Sequence, residues 1–448
     1  MTIPPTFGPT ALVTEDQRRT FPSPFPHHAS QRRENGAGTG RRPNGLFPAR
    51  ELPGLVLICA VAFVAAWSPK LAATYGGAAA VIAILVSCRL PRLHLADVLA
   101  GLTAVWALAS TMLGTVDPSI TWWLAYLYAS ACLVFIAARH VVTNRTHLLT
   151  VAFAHLAGCA ATSVTLILGA RSNADHRDAL LDYNIRYGVD GININYTSYT
   201  FVTGAVLAVV LLRVGLRSHV IRATLVGALL AFVYGVLLTG SKGATLGLIL
   251  GASFLALTAI SSPLAWAVAR VCVPVLILLV PFTAASRFSA IAQRLDTLFG
   301  RETGDLSGRL EVWPLGVSAW MEQPFTGLGP GVFRMVNPFQ IGPHNLLLAV
   351  GTDLGLVGVL LYGSAVATAL AAAARQAGHV GRIAAGLFAM SLLPIWMSGH
   401  WEYAQGSWLV LALLSSVAIA TNRTGRKPGR HRSPTARGQF AAGTARQA

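Results

Sequence analysis

The feature that most constrains this chain is a series of apolar runs, most of them close to 20 residues long. A helix needs about 20 mostly apolar residues to cross a bilayer. Soluble domains are about 25% charged, whereas only 11% of these 448 residues are charged and 54% are hydrophobic. The pattern therefore predicts an all-α membrane protein with about twelve transmembrane helices. The predicted spans are 52–67, 71–88, 95–113, 120–138, 148–169, 197–215, 221–239, 244–261, 264–285, 346–374, 380–398 and 405–421.

The net charge of +17 is concentrated outside these runs. Segments 1–51 and 422–448 are polar and rich in arginine, which predicts two disordered basic cytoplasmic tails around a membrane domain at 52–421. The alternative for 1–51 is a regulatory or lipid-binding arm. The Lys and Arg of the short loops also fall on the side of the termini, so we expect a multi-pass protein of the cytoplasmic membrane with both termini inside. Nucleic-acid binding is not expected, since the charge forms no face on a folded domain.

One long polar segment, 286–345, interrupts the series between the ninth and tenth predicted spans. The predicted topology places it outside the membrane, together with 170–196 and the Gly-Ser-Lys-Gly stretch at 240–243. Apolar residues recur within it at helical spacing, which predicts an amphipathic helix lying flat on the outer membrane surface. Its tryptophans fit an interfacial aromatic belt equally well. The spaced residues are Leu310, Trp313, Val317 and Trp320.

Lys242 and His344 are the polar residues whose positions favour chemistry. Lys242 opens the eighth predicted span between small residues, where it is either an anion site for phosphate or a lysine snorkelling at the interface. His344 lies where the long segment re-enters the membrane, and a histidine there is either a general base or structural. Arg309 and Trp313 are four residues apart and so share a helix face. No metal-binding, phosphate-loop or nucleophile pattern is present, so we expect neither a metal nor a cofactor.

Three ordered elements together resemble the O-antigen ligase and polymerase family of bacterial membrane proteins. The first is the Gly-Ser-Lys-Gly stretch, and the resemblance is strongest over about 190–360. The second element is Arg309, Trp313, Pro324, Gly327, Gly329 and Phe333, and the third is His344, Asn345, Leu354, Gly355 and Gly358.

The resemblance implies transfer of a glycan from a polyprenyl-pyrophosphate carrier to a hydroxyl of a glycan, lipid or protein acceptor. The reaction would take place at the outer face of the membrane, among its lipids, in cell-surface polysaccharide biosynthesis and without a metal. Lys242 and Arg309 would hold the pyrophosphate and stabilise its departure, and His344 would orient or deprotonate the acceptor hydroxyl. The remaining substrate-binding candidates are Arg287, Arg294, Trp313, Asn345 and Asn195.

Several alternatives remain open at this point. Family members often carry arginine at the position of Lys242, and a lysine supplies a point charge without the bidentate fork. Ligases and polymerases share these motifs, so the residues do not separate the two. An inactive member acting as a membrane scaffold is a further alternative. A twelve-span transporter is disfavoured, because no internal repeat is visible and charges are nearly absent from the middle of the spans.

Overall fold

The computed structural model describes residues 51–87, 93–113, 118–172, 187–189, 192–287, 309–399 and 401–421. These ranges are mostly helical and contain no strand, which confirms the all-α prediction. Of the predicted tails, all of 422–448 and all of 1–51 except Glu51 lie outside the described residues. The helices are α1 (Leu52–Trp67), α2 (Pro69–Val86), α3 (Leu95–Leu113), α4 (Pro118–Val141), α5 (Arg145–Ser172), α6 (Ile194–Arg213), α7 (His219–Thr239), α8 (Lys242–Ile260), α9 (Ser262–Arg287), α10 (Arg309–Glu322), α11 (Val332–Val336), α12 (Leu346–Gln376), α13 (Gly378–Trp396), α14 (Gln405–Ser415) and α15 (Val417–Thr421).

Every apolar run of the sequence forms a helix at nearly its predicted bounds. Among the described residues, 10 helices are long and apolar enough to cross a membrane, namely α2 to α9, α12 and α13. Helices α1 and α14 are apolar but shorter. The last predicted span is divided between α14 and α15 at Ser416. Twelve crossings therefore remain a prediction, whereas a bundle of apolar helices is established.

Charged and polar contacts mark the end of the bundle at which α9 and α13 begin. Arg139, near the end of α4, forms an ion pair of 2.6 Å with Asp97 in the first turn of α3. His379 Nδ1 lies 2.8 Å from Ser262 Oγ, joining the starts of α13 and α9. The other end, where α6, α8 and α12 begin, carries the residues that the sequence singles out, and we call it the motif end.

Helices α8 and α13 pack closely because three glycines repeat at every fourth position along α8. A Cβ atom added at Gly247 would collide with the Ser391 carbonyl, and one at Gly251 would collide with the Ser391 hydroxyl. At Gly243 it would meet the hydroxyl of Ser398, just beyond α13. Small residues at this spacing allow membrane helices to approach closely and pack by van der Waals contact. The stripe therefore holds the first turn of α8 against the end of α13.

Helix α12 is broken inside the bundle at Gly355, which has φ +65° and ψ −167°. The break removes helical hydrogen bonds at a depth where water cannot replace them. Other segments supply the partners: Trp106 Nε1 donates to the Leu354 carbonyl at 2.8 Å. The Leu356 amide donates to the Pro324 carbonyl at 2.8 Å. The irregular backbone is thus stabilised by side chain and loop rather than left unsatisfied.

Candidate active site

Lys242 is held at the motif end by the tight turn between α7 and α8. Helix α7 ends at Thr239, and Gly240 caps it in the left-handed region, with φ +58° and its amide donating to the Leu237 carbonyl at 3.1 Å. Ser241 is buried, and α8 begins at Lys242, whose side chain is half-buried. The partial positive charge of the helix N-terminus adds to that of the ammonium. The turn thus presents a concentrated positive charge of the kind that attracts phosphate.

The predicted amphipathic helix of the long segment is α10, and its apolar face is covered by the protein. Trp313 and Trp320 are 4% and 7% exposed, and both pack with Leu347 and Leu348 of α12. Trp313 Nε1 donates to the Pro343 carbonyl at 2.8 Å. These two tryptophans therefore anchor α10 on α12 and do not form a belt facing lipid. Arg309 is the first residue of α10, one turn before Trp313.

His344 has a left-handed backbone, with φ +49°. Residues other than glycine adopt this region at a cost of about 1–2 kcal/mol. Its two neighbours hold it there: Pro343 accepts the Trp313 hydrogen bond, and Asn345 caps α12 by accepting from the Leu348 amide at 3.2 Å. The histidine itself is half-buried. Strained residues of this kind persist where the surroundings over-determine them, and they cluster at functional sites.

A short segment after α13 connects these three elements. Met397 packs against the cluster of Trp313, Leu347 and their neighbours. The hydroxyl of Ser398, the next residue, packs directly against Gly243 of α8. Lys242, the first turn of α10 and the start of α12 are therefore gathered around the end of α13, although they are far apart in sequence.

The other candidates are distributed differently. Asn195 lies in the first turn of α6, where its backbone N–H donates to Asn193 Oδ1 at 2.9 Å. Arg287 is the last residue of α9, and Arg294 lies outside the described residues. Asn345 is 1% exposed and has the capping role described above, which is a structural reason for an asparagine at this position.

The glycines of the second and third motifs pack on each other. The loop after α10 contains Gly327 at φ +71°, and a Cβ atom there would lie 2.6 Å from the Gly355 amide nitrogen. Conversely, a Cβ atom on Gly355 would collide with the Phe325 carbonyl. Two glycines far apart in sequence are therefore required because two stretches of backbone touch. Their role is to dock this loop on the break in α12.

Asp353 completes the docking, and sequence reasoning missed it. Its side chain is buried within α12, where Oδ1 accepts from the Gly331 amide at 2.9 Å and Oδ2 from the Tyr128 hydroxyl at 3.1 Å. The expectation that charges are nearly absent from the spans is therefore wrong at this position. The signal was a lone aspartate in an apolar run, which marks a functional or structural site in membrane helices.

An apolar cavity of about 470 Å³ lies between α9, α12 and α13. It begins at Leu346 and Leu347, beside the Trp313 cluster, and extends along α12 to Ala371. At 1.5 Å of helix rise per residue, that distance would be about 38 Å in an unbroken helix, enough to cover a hydrocarbon core of about 30 Å. A long apolar chain fits such a groove.

Comparison with known proteins agrees with this arrangement. Residues 226–363 match the O-antigen ligase family. The matched segment extends from α7 through the first part of α12, so it contains Lys242, Arg309, His344 and both glycine motifs. The resemblance seen in the sequence is thereby confirmed. No curated protein matches the chain.

The family match gives the protein its general class. The apolar helices identify a multi-pass membrane protein, and the match over residues 226–363 supports an O-antigen ligase- or polymerase-type function in polysaccharide biosynthesis. This class implies a glycosyltransferase-like enzyme that acts on a lipid-linked glycan.

Proposed function

We propose that the protein transfers a glycan from a polyprenyl-pyrophosphate carrier to an acceptor hydroxyl at the outer face of the cytoplasmic membrane. One observation carries the proposal. The apolar cavity along α12 begins at the cluster around which Lys242, the first turn of α10 and His344 converge. A carrier lipid in that groove would have its head group beside the cations and its glycan at the membrane surface.

The cations would stabilise the leaving group. The acceptor oxygen attacks the anomeric carbon of the first sugar, and the bond from that carbon to the pyrophosphate oxygen breaks. The pyrophosphate leaves with the electron pair and so gains negative charge in the transition state. Lys242 at the N-terminus of α8 and Arg309 at the start of α10 lower the barrier because they interact more strongly with that charge than with the bound carrier.

His344 would accept the proton of the acceptor hydroxyl. A histidine titrates near neutral pH and can act as a general base if it lies within hydrogen-bond reach. Its fixed left-handed backbone sets the direction in which the side chain leaves the chain. Trp313 and Asn345, which hold the residues on either side, would act mainly by positioning it.

The remaining substrate-binding proposals concern the glycan and the carrier. Arg287, at the end of α9, and Arg294, beyond it, are proposed to add cations near the head group. Asn195 is proposed to contact the glycan from the first turn of α6. A polysaccharide polymerase would use the same groove, cations and base, so it is the alternative within the family, and the acceptor distinguishes the two.

The test is the surface-glycan profile of a host strain that lacks the protein, complemented with variants. Lys242→Ala and His344→Ala should fail to restore long or attached glycan, whereas Lys242→Arg should restore it. The loss of one charge-stabilising group costs about 100- to 1,000-fold in rate. Arg375→Ala, which removes an exposed cation from the opposite end of the bundle, is the matched control and should restore the profile.

Protein levels in the membrane must be equal for all variants. Accumulation of single carrier-linked repeats would identify a polymerase, and accumulation of full-length carrier-linked chains a ligase. If Lys242→Ala and Arg309→Ala both restored the glycan, the pyrophosphate site would be refuted.

A further inference from the structure

A second cavity, of about 290 Å³, lies at the motif end between α2, α4, α6 and the start of α14. Its volume is at the lower end of the range of about 300–1,000 Å³ that is usual for small-ligand sites. Polar and aromatic side chains line it, and none of them is a proposed catalytic residue, namely Lys242, Arg309 or His344. We call it the aromatic cavity; its main lining residues are Lys70, Asn193, Tyr196, Trp401, Tyr403 and Gln405.

The aromatic rings of this cavity are held in a fixed arrangement. The Trp401 ring packs against those of Tyr196 and Tyr199, with centroids 5.2 and 5.3 Å apart. Tyr403 lies 5.7 Å from the ring of Tyr128 and is hydrogen-bonded to Tyr196. Burial, together with the nearby carboxylate of Glu402, raises the pKa of Tyr403, so its hydroxyl remains a neutral hydrogen-bonding group.

Two buried polar atoms of the lining have no hydrogen-bond partner in the described part of the chain. They are Nε1 of Trp401 and Oε1 of Gln405, whose side chains are 3% and 5% exposed. Leaving a buried donor or acceptor unsatisfied costs about 1–3 kcal/mol, so such atoms call for an explanation. The Gln405 amide lies against Gly76 of α2 and its nitrogen donates to Ser130 Oγ, so its oxygen is buried between helices. A ligand with hydroxyl groups could accept from the Trp401 N–H.

The chemistry of the lining favours a neutral polyol over an anion. Flat rings and an amide side chain offer the combination of apolar faces and placed hydrogen bonds that small-molecule sites use. Among the described lining residues the cation is Lys70, which is exposed, and the buried carboxylate of Glu402 lies near Tyr403. A buried carboxylate so close would repel a phosphate.

The cavity is also close to Lys242, because both adjoin the segment that follows α13. Ser398 receives the first turn of α8, next to Lys242, and Gly399 packs against Tyr199. Trp401 is three residues beyond Ser398, so their Cα atoms are at most about 11 Å apart. One short segment therefore contacts the first turn of α8 at Ser398 and lines the aromatic cavity at Trp401.

We propose that the aromatic cavity binds a sugar ring of the acceptor glycan and so presents its hydroxyl to the donor. The identification of this sugar as the acceptor rests on the proposed function. Binding of the sugar itself can be tested without transfer. Trp401 and Asn193 would hydrogen-bond the ring hydroxyls, and the faces of Tyr196 and Trp401 would cover the apolar face of the ring.

Binding is measured by saturation-transfer NMR with the full chain in lipid nanodiscs and no carrier-linked donor. The probe is the oligosaccharide mixture from mild hydrolysis of the surface polysaccharide of the host. Trp401→Phe keeps an aromatic ring but removes the N–H, and Asn193→Ser removes the amide but keeps a residue that can cap α6. Both should weaken binding about 10-fold, the effect of losing roughly 1.4 kcal/mol. Tyr199→Phe removes a hydroxyl next to Trp401 but outside the lining, and should bind like wild type.

Equal signals in all four proteins, or no signal in wild type, would overturn the assignment. So would binding of glycerol phosphate in place of the oligosaccharide if it depended on Lys70, because the cavity would then be an anion site. In a transfer assay, Trp401→Phe should raise the KM for the acceptor about 10-fold with kcat retained. A rise in the KM for the donor instead would contradict the acceptor assignment.

The two hypotheses can fail separately. If the cavity binds the oligosaccharide but loss of the protein leaves the surface glycan unchanged, the sugar site stands and the transferase proposal falls. If transfer depends on Lys242 and His344 but Trp401→Phe and Asn193→Ser change neither binding nor KM, the transferase stands and the sugar site falls.

Discussion

Replacing Gly355 with alanine should release the loop after α10 from α12 without unfolding the bundle. The backbone at Gly355, φ +65° and ψ −167°, lies in a region that is essentially restricted to glycine. A Cβ atom there would collide with the carbonyl of Phe325, which is backbone and cannot rotate away. The loop from Pro324 to Gly331 must therefore move.

The magnitude follows from the contacts that this movement breaks. Adopting this backbone with a side chain costs about 1–3 kcal/mol. The loop would also lose its hydrogen bonds to α12, including Leu328 N to Thr352 O at 2.7 Å and Leu356 N to Pro324 O at 2.8 Å. Each is worth about 0.5–1.5 kcal/mol. We expect the local free energy of opening to fall by about 4 kcal/mol, which corresponds to about 1,000-fold faster amide exchange.

The assay is hydrogen–deuterium exchange of peptides that cover the loop and the break, in nanodiscs, beside the surface-glycan profile. Two controls separate the cost of backbone strain from the cost of the lost loop contacts. Gly378→Ala changes a glycine at φ +57° with no atom within 4 Å of the added carbon, so it reports backbone strain alone. Gly227→Ala changes a helical glycine with open space around it, and should be neutral or slightly stabilising.

Gly355→Ala should lose glycan transfer, because the loop and the start of α12 carry the elements around His344. If the loop exchanged no faster in Gly355→Ala than in wild type, the docking of the loop on α12 would be refuted. If it exchanged faster only by the amount that Gly378→Ala produces around residue 378, strain would be the whole effect.

The remaining predictions concern single contacts. Asn345→Ala should lower stability by about 1 kcal/mol, measured as a lower thermal midpoint, whereas Asn345→Ser should retain the cap; inactivity of a stable Asn345→Ser would instead indicate substrate contact. His344→Gly should abolish transfer while raising the midpoint, since it relieves a left-handed backbone worth about 1–2 kcal/mol; a lower midpoint would contradict this. Gly247→Ala should separate α8 from α13 and cost about 1–3 kcal/mol. The folded state raises the pKa of Tyr403 and so binds its proton more tightly than the unfolded state. Wild type should therefore lose stability as pH rises above about 10, the unfolded pKa, and Tyr403→Phe should lose less.

The helices could be predicted from the sequence because their signal is local. Twenty apolar residues in a row specify a membrane helix whatever they pack against, so the bounds of α3 and α7 agree with the predicted runs to within two residues. Lys242 and His344 could be singled out because a polar residue at the end of an apolar run is visible without a structure. Their roles remain predictions.

The break at Gly355 could not be predicted from the local sequence, because its cause is a contact with Phe325 across the fold. The run around it is as apolar as any other, and glycine is common in membrane helices. The aromatic cavity was missed for the same reason: Asn193, Trp401 and Gln405 come together only through the packing of α2, α6 and α14.

The hydrogen bonds that satisfy the polar groups at the break in α12 have a consequence for the evolution of the chain. The family match begins at residue 226, yet the carbonyl of Leu354 is satisfied by Trp106 and the carboxylate of Asp353 by Tyr128, both from the unmatched half. The first helices are thus not an exchangeable membrane anchor attached to the matched segment. A relative with different early spans must supply its own donors to this carbonyl and this carboxylate. Residues 106 and 128 should therefore co-vary with 353–355, and a graft of the matched segment onto foreign helices should fail unless both donors are transferred with it.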